Sequence, residues 1–283
     1  MVQRGTGPPL VFVPGIQGRW EWTAPAVKAL AARYRVITFS FPGEPGSRLC
    51  HDPEAGFNAL VRQIDLALDE AGCRRAAICG ISFGGLVAAT YAAQRPERTS
   101  KLVLVSAIGP GWELDDRARS VMAAPWWTTP LLVSGSIQRL YPEIATALPA
   151  LSERLPFLVK HTARVLCAPM SLARTGDRIR LAASVDAGSL CGRITAPTLV
   201  ITGEPGADRV MPVEITRRYK DAIANARVAT LERTGHIGLV TRPERFAELV
   251  ADFVGEDAGH LFNGHTRAVA ETVEDLSGGS DHA

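Results

Sequence analysis

The chain has 283 residues and a formal charge of +2, with 46% hydrophobic and 21% charged residues. This is room for one large α/β domain with an insertion, or for two small domains, with apolar mass enough for a sizeable core. The near-balanced charge excludes a strongly basic nucleic-acid binder and gives no reason to expect an acidic membrane surface as partner. Cys50, Cys73, Cys79, Cys167 and Cys191 are odd in number, widely spaced and lack a CxxC pair. A disulfide framework or zinc site is therefore not expected, and reduced thiols in a cytoplasmic protein are. The opening MVQRGTGPPLVFVPG holds only four successive apolar residues before Pro-Gly, too few for a signal peptide. No run approaches the ~20 apolar residues of a membrane span.

In chain order, short β-branched runs at 10–13, 36–39, 76–79, 102–105, 198–202 and 228–231 are bounded by turn residues. Apolar at successive positions, they read as strands buried on both faces, as in a parallel sheet. Helical spacing lies between most of them, as in Phe57, Leu60, Val61, Ile64 and Leu68, and in Phe246, Leu249, Val250 and Phe253. This alternation predicts a doubly wound, mostly parallel α/β sheet. It breaks at 108–196, where seven prolines separate short helical pieces. A helical lid inserted into the core fits better than an unstructured loop of that length. The expected organisation is a core at 1–107 and 197–255, a lid at 108–196, and a polar tail at 256–283. An amphipathic helix at 265–276 would suit a dimer contact, so monomer and homodimer both stay open.

Gly80-Ile81-Ser82-Phe83-Gly84-Gly85 follows the run 76–79 and precedes a helical run at 86–94. A serine on a sharp strand-to-helix turn needs small residues two positions to either side, because its own backbone is strained. The turn lifts Oγ clear of the sheet, and the helix that starts there turns its positive end toward developing negative charge. The hydroxyl also needs a base. Of six histidines, His236 alone directly follows a strand, in Arg233-Thr234-Gly235-His236. Loops after strands gather at the carboxyl edge of a parallel sheet, where ligands bind. A carboxylate must orient the imidazole. Asp208 and Glu204, on the loop after 198–202, both qualify, with Asp208 favoured. The oxyanion of acyl transfer would be met by the backbone N–H groups of Phe83 and of Ile16, in Pro14-Gly15-Ile16-Gln17-Gly18.

These residues resemble the α/β-hydrolase superfamily, in its single-lid esterase-like branch, over roughly 5–255. Gly80–Gly85 resembles the nucleophile elbow, 14–18 the oxyanion loop, 208–212 the acid loop, and Gly235-His236 with Arg242-Pro243-Glu244 the histidine segment. The order serine, acid, histidine is that of this superfamily. Pro14 stands where relatives usually have histidine, and the acid loop is about two residues longer than common. Relatives usually carry one or two more strands at the start, so the sheet is expected to be shortened there, covered by the tail, or begun upstream. Serine at 82 excludes the branches that need an aspartate nucleophile, haloalkane dehalogenases and epoxide hydrolases.

The expected activity is hydrolysis of a carboxylic ester or thioester of a small, apolar substrate through an acyl-enzyme. No cofactor or metal is expected. Trp20, Trp126 and Trp127 are candidates to line the substrate pocket. Arg19 is a candidate carboxylate binder, although a solvated arginine is the plainer reading. A lactonase, carbon–carbon bond hydrolase, perhydrolase or acyltransferase would use the same triad, and a non-catalytic ligand-binding protein would use the same fold.

Overall fold

The computed structural model describes residues 1–123 and 129–255. Among them the strands are β1 (Val2–Arg4), β2 (Pro9–Val13), β3 (Arg35–Thr38), β4 (Ala76–Ile81), β5 (Thr99–Val105), β6 (Thr198–Thr202) and β7 (Ala226–Thr230). They form one sheet in the order β1-β3-β2-β4-β5-β6-β7, parallel throughout except for β1 against β3. The helices are α1 (Ala24–Leu30), α2 (Gly56–Glu70), α3 (Phe83–Gln94), α4 (Asp116–Ala123), α5 (Thr129–Ala147), α6 (Leu151–Cys167), α7 (Leu172–Ala183), α8 (Ala187–Cys191), α9 (Val213–Ala222), α10 (Gly238–Thr241) and α11 (243–255). None of the described helices is long and apolar enough to cross a membrane.

Strand periodicity divides the core in two. Val11, Val13 and Ile78 face α2, α3, α8 and α9. Their neighbours Leu10, Phe12, Ala77 and Cys79 face α1, α10 and α11. Side chains alternate across the sheet, so a strand covered on both faces must be apolar at successive positions. Burying Phe12 completely is worth about 2–3 kcal/mol. β4, the central strand, pairs on both edges, with Cys79 beside Phe12 of β2 and Val103 of β5.

Three expectations change. β7 is an edge strand, so Arg227, Val228 and Thr230 are exposed and it is not buried on both faces. One further strand, β1, lies beside β3; its three residues, mostly exposed, are too few to leave a periodic pattern. The pieces between prolines are longer than expected: α5 runs through Pro142 and α6 through Pro156. Each proline removes one N–H donor, a local loss that the flanking turns survive. The segment from β5 to β6 is helical among its described residues, and the tail from 256 lies outside the described residues.

α3 is apolar on all its sides and buried from Phe83 to Ala93, which brings backbone against backbone at its start. A Cβ added at Gly84 would lie 2.2 Å from the Pro14 carbonyl oxygen, and one at Gly85 would lie 2.4 Å from Ala107 Cβ. Replacing Gly84 by alanine is expected to destabilise the fold by about 2–3 kcal/mol. Urea unfolding checks this; a change within 0.5 kcal/mol, on the order of a neutral surface substitution, would contradict it.

Candidate active site

Ser82 sits between β4 and α3 with φ 55° and ψ −121°. That is left-handed space, costly for a residue with a side chain, and it persists only where the surroundings over-determine it. Here they do. The Ser82 N–H donates to the Val105 carbonyl (2.9 Å), and the Ser82 carbonyl accepts from Gly85 (2.9 Å) and Ile108 (3.2 Å). A Cβ at Gly80 would strike the Gly84 carbonyl oxygen, so the small residues flanking the serine are a steric requirement. The Phe83 ring locks the start of the helix edge-on against Phe41 and Phe57, both at 5.8 Å.

Asp208 and His236 come together from loops after β6 and β7. His236 Nδ1 lies 3.0 Å from Asp208 Oδ2. An ionised carboxylate only accepts, so Nδ1 carries the proton and Nε2 becomes the acceptor. The other Asp208 oxygen accepts from the N–H groups of Val210 (2.9 Å) and Met211 (2.8 Å). Burial works to raise this carboxyl, but His236 and those two N–H groups together hold it below the usual carboxylate range. A depressed carboxyl contributes stability at neutral pH that is lost as pH falls through its folded pKa. Glu204 does something else. Its Oε1 accepts the Arg233 N–H at 2.7 Å, holding Arg233 at φ 59° in the turn before His236. Gly203 and Gly235 let the acid and histidine loops touch: a Cβ at Gly235 would lie 2.4 Å from the Ala207 carbonyl oxygen.

The loop 14–18 passes over the serine turn, and a Cβ at Gly15 would be 3.8 Å from Ser82 Cβ. The loop is gripped by Arg178 of α7, whose Nη1 donates to the Ile16 carbonyl at 2.9 Å. Arg178 Nη2 also pairs with Glu44 at 2.6 Å, and both side chains are buried. Glu44 in turn accepts the Ser171 N–H at 2.9 Å, before α7. Burial pulls the Arg178 guanidinium below its ordinary range, and Glu44 pulls it back up. The guanidinium occupies the space a side chain at position 18 would need, only 2.6 Å from a Cβ there.

Sequence reasoning missed Glu143. It lies on α5, only 3% exposed. Its Oε2 accepts the His236 N–H (2.9 Å) and its Oε1 the Ile237 N–H (2.7 Å). Nothing in its local sequence separates it from a surface glutamate; only the burial of its helix face does.

Of the other candidates, Trp20 packs against the core cluster around Leu10 and Phe12, while Trp126 and Trp127 lie outside the described residues. Arg19 is buried, not solvated: Nη2 pairs with Glu21 at 2.8 Å, while Nε and Nη1 have no hydrogen-bond partner among the described residues. His161 stacks on Phe157, and burial next to Arg164 lowers it to about 4. A cavity of about 340 Å³ opens between α2 and α7, lined by Pro42, Leu60, Arg174 and Leu181 among others; Ser82 and His236 are not in its wall.

Three comparisons bear on this geometry. The sequence pattern of the alpha/beta hydrolase family matches residues 10–249. The chain is 30% identical, over 86% of itself and 83% of the relative, to the 2-hydroxy-6-oxononadienedioate/2-hydroxy-6-oxononatrienedioate hydrolase of Cupriavidus pinatubonensis. It is 28% identical, over 90% of itself and 94% of the relative, to RutD of Stutzerimonas stutzeri, whose name carries carbamate hydrolysis as a provisional assignment. Among solved structures, a hydrolase from Pseudomonas aeruginosa PA01 superposes with a TM-score of 0.73 at 25% identity, covering 90% of this chain and 93% of that one.

The Arg178–Glu44 pair gives a test of how the loop 14–18 is held. Arg178→Met alone strands a buried carboxylate and is expected to cost about 3–5 kcal/mol. Glu44→Leu combined with Arg178→Met is expected to recover at least half of that in urea unfolding. A double variant no more stable than the single one would show that the cost lies elsewhere.

Proposed function

Because the chain belongs to the alpha/beta hydrolase family, we propose that it hydrolyses a carboxylic ester or thioester of a small, largely apolar molecule through an acyl-enzyme at Ser82. The observation that carries the reading is the 3.0 Å contact between His236 and Asp208, in the same site-bearing edge of the sheet as a serine at φ 55°. In this mechanism Ser82 Oγ attacks the carbonyl carbon while His236 Nε2 takes its proton. Asp208 holds the tautomer and stabilises the imidazolium. The N–H groups of Ile16 and Phe83 receive the oxyanion, and the leaving group takes the proton from His236. Water then repeats the sequence and frees the acid.

In the same reading, 1–107 and 197–255 form the core, and 108–196 are a lid over Ser82. Trp20, Trp126 and Trp127 are its proposed apolar lining. The relatives' names span a dienedioate and a carbamate, so the substrate is taken to depend on this lining rather than on the triad. The five cysteines, none of them paired, suit a reducing compartment, and we place the protein in the cytoplasm.

A fluorophosphonate probe is expected to label Ser82, and Ser82→Ala to abolish labelling. Asp208→Asn, which removes the acceptor for Nδ1–H, is expected to lower kcat on p-nitrophenyl esters by about 10³–10⁴. Activity is expected to rise with acyl chain length before the pocket is full. Labelling that survives loss of His236 would overturn the reading.

A further inference from the structure

We propose that Glu143 is a positioning residue for His236, fastening the backbone of the base's loop to the helical segment between β5 and β6. The proposal rests on the serine-hydrolase reading above. The N–H groups of His236 and Ile237 are consecutive and point the same way, and one carboxylate spans them with an oxygen on each, at 2.9 and 2.7 Å. His236 is thus held twice, by Asp208 through its ring and by Glu143 through its backbone. The two anchors come from different parts of the fold, one from the loop after β6 and one from α5. A carboxylate accepts on both prongs; a neutral amide offers one acceptor and turns its NH₂ toward the second N–H. The base is therefore aligned only while α5 is seated and Glu143 is ionised.

The charge matters as well as the shape. Glu143 is faced by His236 and Asp208 from the two catalytic loops. Arg233, whose Nη2 reaches the Thr146 carbonyl of α5 at 3.4 Å, precedes His236 on its loop, and Glu204, which binds the Arg233 N–H, lies on the loop after β6. Burial pushes the Glu143 carboxyl up to about 7, against the opposing pull of His236 and of the N–H groups it accepts. A carboxyl raised in the folded state binds more protons folded than unfolded. Stability from this group is therefore present at acid pH and is lost as pH rises from about 4.5 to about 7. Ionised Glu143 costs stability at the pH where it aligns the base, which is what a structural glutamate kept only for stability would not do. Its negative charge also favours the imidazolium that forms when His236 takes the serine proton.

The experiment follows the rate of fluorophosphonate labelling of Ser82 from pH 5 to 9 in the wild type, Glu143→Gln and Glu143→Asp, with hydrogen exchange of the peptide spanning 233–238. Glu143→Gln is expected to lower the plateau rate about tenfold or more and to move the acid-side midpoint down by about half a unit, with exchange in that peptide faster. Glu143→Asp, one methylene short but still charged, is expected to lose plateau rate while keeping the midpoint, and it stands in if the glutamine variant does not fold. A wild type that labels, with variants matching its plateau and midpoint, overturns the positioning role alone. A wild type that does not label overturns the serine-hydrolase reading and this proposal with it.

Discussion

The approach of α3 to the sheet governs the rest of the molecule. A helix that is apolar on every side can only lie in the interior, and here it lies close enough that carbonyl oxygens of the loop 14–18 and of α3 itself exclude a single extra methyl at positions 80 and 84. With the helix start pinned there, and at position 85 by the Ala107 side chain, the one residue joining strand to helix has no choice of backbone conformation. Ser82 is held at φ 55° by the cost of moving its neighbours, and three backbone hydrogen bonds secure it. The loop 14–18 is brought over the serine by the same packing, because the surface it rests on is the glycine face of α3.

What the core does by packing, the helical segment does by charge. Among its described residues, the buried charged side chains Arg178 and Glu143 each reach a loop of the core through backbone atoms: one takes the Ile16 carbonyl, the other the N–H groups of His236 and Ile237. Buried charges seldom improve stability over an apolar replacement. Their value here is geometric, since they hold the loop before the serine and the loop of the histidine at fixed positions relative to one another.

Most of the sheet was legible because buried parallel strands leave continuous apolar runs, and Ser82, Asp208 and His236 could be picked as candidates because each lies on a loop after a predicted strand. The Asp208–Glu204 choice stayed open in sequence, since both lie on one loop; it turns on which carboxylate reaches the imidazole, and Glu204 is occupied by the Arg233 turn. β1 was illegible because three residues carry no period, and the exposure of β7 because edge position depends on strand order. Glu143 and Arg178 were illegible for a different reason. A charged residue on an amphipathic helix reads as solvated, and its burial arises only when the helix meets loops distant in sequence.

The strand order has a consequence for assembly. β2, β3, β4 and β5 come from the first part of the chain, and the intervals between paired strands among them are shorter than the one before β6, which joins β5 only after residues 106–197 have been looped out. The chain entropy of closing that long excursion falls on a single junction. The serine turn therefore belongs to a unit whose contacts are more local, while the carboxylate and imidazole arrive with a second unit, β6–β7, that docks across the longer junction. The half of the molecule that carries the strained serine is in this way the half that can form first, and the groups that would make its hydroxyl reactive join it last.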